Sequence, residues 1–182
     1  GLALKARVGF VIGTTGFHEP QITKIKNASK SIPIVFAPNM SVGANLLFAL
    51  ARKASKALSG DYDMEIVEAH HRNKKDAPSG TAKKLAQEMC EAKGWSYDDV
   101  VVHGRKGLTD PRPKRQLGMH VIRAGEIVGE HEAIFSGPGE TLRLAHHASS
   151  RDAFAKGALV AARFLSHKKK GLFTMQDVLG ID

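Results

Sequence analysis

The sequence predicts a short α/β segment running into an α+β region. Two observations carry this expectation. Near the start, two strands that are apolar on both faces flank a glycine-bearing loop and a helix. From Ser41 onward a long amphipathic helix leads into strands of alternating polarity, interleaved with further helical stretches.

The elements follow in order. Val8 to Ile12 is an apolar strand that runs into the loop Gly13-Thr14-Thr15-Gly16. "EPQITKIKNASKS" reads as a helix with Pro20 in its first turn, where an N–H is unpaired in any case. Ile34 to Ala37 is a second buried strand, halted by Pro38. Strand, loop, helix and strand make one βαβ unit with a parallel sheet. Val42, Leu46, Leu47, Leu50, Ala54 and Leu58 recur at helical spacing, with Ser41 as the cap. "DMEIVEAH" is a strand leading to His70, and Leu85 and Met89 mark a helix after Gly80. "DDVVVH" is another short strand. Gly104 to Gly118 is a long loop with two prolines: a lid, a crossover or an oligomer contact. "MHVIRAGEIVGEHEAIF" alternates about Ala124-Gly125 and predicts an antiparallel hairpin, and "TLRLAHHAS" a further strand. The region predicts a mixed sheet of about four strands with helices on one face. "SRDAFAKGALVAARFLSHKK" is a last helix, with Ser150 as its cap and the lysines at 168–170 at its solvated end. The apolar tail after it docks on the fold.

Composition bounds the function. The 182 residues are 42% hydrophobic and 25% charged, as in an ordinary globular protein. No apolar run reaches the ~20 residues that span a bilayer, so no membrane partner is expected. The one cysteine, Cys90, excludes an internal disulfide and fits an inert buried thiol in a reducing cytoplasm. The net charge of +9 suits nucleic acid, an anionic substrate or a phosphate-bearing cofactor equally. With two tyrosines and one tryptophan the chain lacks an aromatic stacking platform, which argues against nucleic acid.

The stretch "EAHHRNKKDAPSGTA", from Glu68, concentrates the chemistry. His70 and His71 are adjacent at a strand end and point to opposite sides, so joint metal ligation is not expected. His146-His147 is a second adjacent pair, either a surface pair or a packing pair. After Pro78, the small residues Ser79 and Gly80 begin a helix whose first N–H groups can accept an anion, with Thr81 adding a hydroxyl. Arg72 and Lys74 lie close upstream. A histidine there can pass protons and a lysine can neutralise charge or donate a proton. The plainer reading is a basic surface loop in which Ser79 only caps the helix.

Glu68, His70, His71, Lys74, Asp76, Pro78, Ser79, Gly80 and Thr81 fall in register with the signature of the dihydrodipicolinate reductase family, also called 4-hydroxy-tetrahydrodipicolinate reductase. "VIGTTGF", "FAPNMSVG", "RAGEIVGEH", "HHASSR" and "GLFTMQDVLG" agree in order, so the resemblance covers essentially the whole chain. It implies an oxidoreductase of the lysine and diaminopimelate pathway that reduces a small heterocyclic dicarboxylate with NADPH or NADH, in a cytoplasmic homotetramer. It implies His70 and Lys74 as catalytic, and His71, Ser79, Gly80 and Thr81 as substrate-binding. For the cofactor it implies Gly13, Thr14, Thr15, Ala37, Pro38, Asn39 and Met40, with Pro38 and Met40 standing where the family often has Ala and Phe.

The resemblance further implies a partial Rossmann-like dinucleotide domain with two strands kept (1–40), a substrate-binding and oligomerisation domain (41–149), and a helix and tail returning to the first (150–182). Gly13-Thr14-Thr15-Gly16 is not the glycine loop that cradles a pyrophosphate. An N-terminally truncated chain with weak dinucleotide binding is therefore expected. Two other functions remain at this stage: a non-catalytic substrate-binding and assembly fragment of that enzyme, or a basic polyanion-binding module.

Overall fold

The computed structural model describes residues 1–181. In chain order the elements begin α1 (Leu2–Ala6), β1 (Phe10–Ile12), α2 (Glu19–Ser29), β2 (Pro33–Phe36) and α3 (Val42–Ala57). They continue with β3 (Asp63–His70), α4 (Gly80–Lys93), α5 (Tyr97–Val100), β4 (Val101–His103) and β5 (Leu117–Arg123). β6 (Gly129–Gly137), β7 (Glu140–Ala148), α6 (Asp152–Leu165), β8 (Gly171–Phe173) and α7 (Met175–Leu179) complete the chain. Two compact units result, one from Gly1–Leu46 with the chain after Ser150, the other from Leu47–Ser150.

In the first unit, β1, β2 and β8 form a parallel sheet with β2 in the centre. Val35 packs with Ala161 and Leu165 of α6 and Met175 of α7. Ile34 turns the other way, to Ile12, Ile32 and, from α2, Ile25 and Ala28. Successive strand residues alternate faces, so β2 is apolar throughout because both faces are covered.

The sequence predicts two strands here and the structure has three. β8 pairs Leu172 and Phe173 with Ile34 and Val35. A three-residue strand is too short to show a period, and only the free edge of β2 selects it. The first strand starts at Phe10, two residues later than expected, and Val8 is exposed. The helix α1 has no counterpart in the expectations. The lysines at 168–170 are exposed, as expected, and Lys168 Nζ also stands 4.7 Å from the centre of the Phe164 ring and 5.6 Å from that of Phe173. Arg151, not Ser150, occupies the N-cap position of α6.

The second unit holds a mixed five-stranded sheet in the order β4-β5-β3-β6-β7, one strand more than expected. Met64 and Ile66 of β3, Leu117 and Met119 of β5, and Ala133 and Phe135 of β6 share one face. Leu85, Ala86 and Met89 of α4 and Leu47, Phe48 and Ala51 of α3 cover it. Each large side chain fully buried in this core contributes about 1.5–3 kcal/mol. On α3 the expected face is partly wrong. Val42, Leu46 and Leu50 are exposed, and the buried stripe runs through Ala44, Leu47, Phe48, Ala51 and Ser55. Counting large apolar residues misses a face that closes through small ones.

The hairpin expected about Ala124-Gly125 does not form. β3 lies between the two predicted partners, parallel to β5 and antiparallel to β6. Alternation tells which face a residue takes but not which strand lies beside it. The connecting turn instead closes over the end of β3: Ala124 N–H donates to His70 O at 3.0 Å and Arg72 N–H to Gly125 O at 3.1 Å. β6 and β7 do form an antiparallel hairpin, through Gly137–Glu140.

The loop after Gly104 makes the crossover between parallel β4 and β5, one of its three expected readings. Arg105 and Arg112 fasten it to Glu65 at 2.8 and 2.9 Å, and Arg112 also reaches Asp63 at 2.7 Å. No helix among the described residues is long and apolar enough to cross a membrane.

Candidate active site

The two-residue period of β3 places Glu68 and His70 on the side of the sheet that carries Met64 and Ile66. Glu68 has no exposed surface. Its Oε2 accepts from His70 Nδ1 at 2.6 Å and Arg123 Nη1 at 2.8 Å. Its Oε1 accepts from Ser79 N and Arg123 Nη2, both at 2.9 Å. Burial alone would raise the Glu68 pKa, but the hydrogen bonds from His70, Arg123 and Ser79 outweigh it and bring it down to about 2. Glu68 is therefore a carboxylate, and His70 Nδ1 must be the donor. No hydrogen bond of the described fold engages His70 Nε2. A β-carbon at residue 129 would stand 3.1 Å from that atom, so Gly129 keeps the space before it clear.

Ser79 is the N-cap of α4 and is itself buried. Its Oγ accepts from Ala82 N at 3.1 Å and pairs with His131 Nε2 at 3.0 Å. The plainer reading of Ser79 as a cap thus holds, and the hydroxyl also ties α4 to β6. Beside it Gly80 is exposed, and nothing lies within 4 Å of where its side chain would begin. The start of α4 is open at Gly80, with Thr81 half-buried next to it.

His71 lies just beyond β3 and is half-buried, and its carbonyl accepts from Lys74 N at 3.1 Å. That turn brings the Lys74 ammonium to Asp76 Oδ1 at 2.7 Å. The same hydrogen bond lowers the Asp76 pKa. A row of histidines completes the site. The rings of His70 and His131 are 5.1 Å apart and those of His131 and His146 are 6.5 Å apart. Burial first, then the neighbouring His70, pushes the His131 pKa down to about 3, with His146 and Lys74 adding to the fall. His131 is neutral at any physiological pH. Of the second adjacent pair, His146 joins this row and His147 is exposed, 2.9 Å from Glu130.

The six residues expected at the substrate therefore gather at the end of β3 and the start of α4. Arg123 and His131 were not anticipated. Both come from distant strands, and their partners exist only once β5, β3 and β6 are side by side. Glu68 was legible in principle, since two residues before a strand-end histidine is the same face.

In the first unit, Thr14, Thr15, Ala37 and Pro38 line a cleft of about 230 Å³ with Gly16, Phe17, Ile22 and Phe36. It opens beyond the carboxyl ends of β1 and β2, where parallel sheets bind ligands. Gly13 backs onto Met40, whose Cγ would be 3.1 Å from a β-carbon there. Met40 and Asn39 are buried and do not line the cleft. Asn39 Oδ1 accepts from Ser41 N and its carbonyl from Asn45 Nδ2, both at 2.8 Å, so it fastens the start of α3.

"Dihydrodipicolinate reductase, N-terminus" matches residues 1–40 and "Dihydrodipicolinate reductase, C-terminus" matches residues 43–179. The chain belongs to the dihydrodipicolinate reductase family. The 4-hydroxy-tetrahydrodipicolinate reductase of Nitrosomonas eutropha is 53% identical over 174 residues, covering 96% of this chain and 65% of that protein. That of Polynucleobacter necessarius is 50% identical over 180 residues, covering 99% of this chain and 68% of the relative. The solved structure of a dipicolinate-bound dihydrodipicolinate reductase from Paenisporosarcina sp. TG-14 superposes with a TM-score of 0.76 at 28% identity. It covers 97% of this chain and 66% of that one. The chain thus spans about two thirds of the length of these dihydrodipicolinate reductases.

Proposed function

We propose that this chain reduces 4-hydroxy-tetrahydrodipicolinate to tetrahydrodipicolinate with NADPH or NADH, in the biosynthesis of diaminopimelate and lysine. The observation that carries the reading is the gathering of His70, His71, Lys74 and the open start of α4 at one strand end, in a chain half identical to named reductases. The relative that holds dipicolinate supports a ring bearing two carboxylates as the ligand.

On this reading the substrate is a dianion, and the site meets it with hydrogen-bond donors and positive charge. One carboxylate takes the N–H groups at Gly80 and Thr81, where the helix dipole favours an anion. The Ser79 hydroxyl, already engaged with Ala82 and His131, aligns that turn. His71 and Lys74 hold the ring, and Lys74 exchanges Asp76 for the substrate. His70 then supplies a proton through Nε2. A site of this kind works by orienting the substrate and by fixed charge.

The cleft beside Thr14, Thr15, Ala37 and Pro38 fits the nicotinamide end of the cofactor: Phe17, Ile22 and Phe36 give it apolar walls, and the threonines bring hydroxyls for a carboxamide. The nicotinamide supplies the hydride. Gly13 and Met40 set the floor behind the loop, and Asn39 holds its far end in place.

The sheet face opposite α3 and α4 suits self-association, and a homotetramer accompanies the reading. Val67, Ile122 and Ile134 lie on it among the pairs Arg143–Glu132 and His147–Glu130. A cytoplasmic setting fits the buried Cys90, whose pKa burial raises to about 11 and which needs no oxidising compartment.

The test is NADPH oxidation by the purified chain, with substrate generated in place by the synthase that precedes it. Synthase-dependent loss of absorbance that disappears in Lys74→Ala supports the proposal. A folded chain that neither turns over nor binds dipicolinate rejects it, whereas binding without turnover supports the substrate-binding and assembly role instead.

A further inference from the structure

We propose that Glu68 and Arg123 are positioning residues for His70: they hold its ring with the hydrogen on Nδ1 and leave Nε2 as the atom that gives and takes the proton. This rests on the reading of His70 as the proton-handling residue.

Glu68 is saturated. Each of its oxygens accepts one N–H of the Arg123 guanidinium and one further donor, His70 Nδ1 at Oε2 and Ser79 N at Oε1. A carboxylate with four donors has no room for a proton, so the hydrogen between Glu68 and His70 belongs to nitrogen. The ring is then fixed in tautomer and in rotation, as the buried aspartate fixes the histidine of a serine-protease triad.

Arg123 makes this possible. Burial would otherwise drive Glu68 toward the neutral acid, which could no longer accept from Nδ1. The guanidinium sits at the end of β5 and binds Glu68 through two nitrogens, the geometry a lysine cannot copy. It also donates to Asp76 O and Ile122 O at 2.7 Å. One side chain thereby joins β3, β5 and the loop that carries Lys74. His131, 5.1 Å away, stays neutral and does not compete for the proton.

In the step itself, protonated His70 gives up its Nε2 hydrogen to the ring atom that hydride addition leaves electron-rich. The Nε2–H bond breaks, a bond from that hydrogen to the substrate forms with the substrate's electron pair, and neutral imidazole with Nδ1–H remains. A hydronium ion or buffer acid from solvent restores the proton to Nε2, leaving water or the buffer base. Glu68 stays ionised throughout.

The test is a long-range ¹H–¹⁵N correlation spectrum of the labelled chain at a pH where the ring is neutral, with His70 assigned by loss of its signals in His70→Asn. The wild-type chain should show hydrogen on Nδ1 and a bare Nε2. Glu68→Gln should give a mixture of tautomers and turnover lower by on the order of 10²-fold, with Glu68→Asp recovering part of both. A wild-type ring carrying its hydrogen on Nε2 overturns the proposal, and that measurement needs no variant to fold. A tautomer unchanged in Glu68→Gln overturns it too, whatever happens to turnover. Full activity in His70→Asn would instead reject the catalytic reading and leave the tautomer result standing.

Discussion

The carboxylate of Glu65 occupies the volume that a side chain at residue 118 would need, directly across the β3–β5 pair. From there it accepts from Arg105, Arg112 and His120 at 2.7–3.2 Å. Those hydrogen bonds hold the crossover loop against the sheet, and only a glycine at 118 leaves room for them. Gly118→Ala should therefore displace Glu65 and destabilise the chain by about 1–3 kcal/mol. Urea unfolding measures it. In Glu65→Ala the added methyl should cost much less, so the two changes should be non-additive.

Lys74, whose side chain is 21% exposed, makes its side-chain hydrogen bond to the exposed Asp76 and belongs to none of the hydrophobic core clusters. An exposed ion pair contributes roughly 0–1 kcal/mol, so Lys74→Ala should fold and melt nearly as the parent does. Its turnover should fall by roughly 10²-fold or more if the ammonium serves the chemistry. Steady-state kinetics beside a melting curve separates the two effects. Unchanged kcat would remove Lys74 from the proton-transfer role.

On the proposed reading His71 holds substrate rather than transferring protons, since no hydrogen bond of the described fold gives it a carboxylate such as the one that orients His70. His71→Ala should raise the substrate KM about tenfold, the loss of one hydrogen bond to a charged group. kcat should change by less than about threefold. A fall in kcat at constant KM would reverse the roles assigned to the two histidines.

Stability should decline in acid in two stages. His131 titrates at about 3 in the fold against 6.5 when free, and His146 is also lowered by burial and by His147. The unfolded chain therefore binds protons first, and stability is lost as pH falls from 6.5 toward 3. Glu65 and Glu68 titrate at about 2 against 4.5 when free, so what they contribute is complete above pH 4.5 and is lost as pH falls toward 2. Burial opposes ionisation at both, and the hydrogen bonds from their arginine and histidine partners prevail. Denaturant midpoints from pH 7.5 downward should show a shallow loss and then a steep one. His131→Asn should weaken the first stage and leave the second.

Much of the site was readable because its chemistry is local. His70, His71, Lys74 and the start of α4 lie within one turn and one helix end, and the cap at Ser79 follows from residue type. The residues expected at the cofactor divided. Thr14, Thr15, Ala37 and Pro38 line a cleft, whereas Asn39 and Met40 are buried behind it, because the turn after β2 also has to fasten α3.

The α/β start, the α+β middle and the polarity of the longer strands are written in local periodicity, and so were determined by the sequence alone. Strand neighbours were not. β3 entered between β5 and β6, and β8 joined β2, because pairing depends on which edges are free after distant segments collapse together. The same physics decided the support of His70. Glu68 stands two residues before it in the chain, but the arginine that keeps Glu68 ionised comes from β5 and the neutral histidine beside it from β6. Period fixes the face a side chain takes, and only tertiary packing fixes the charge it meets there.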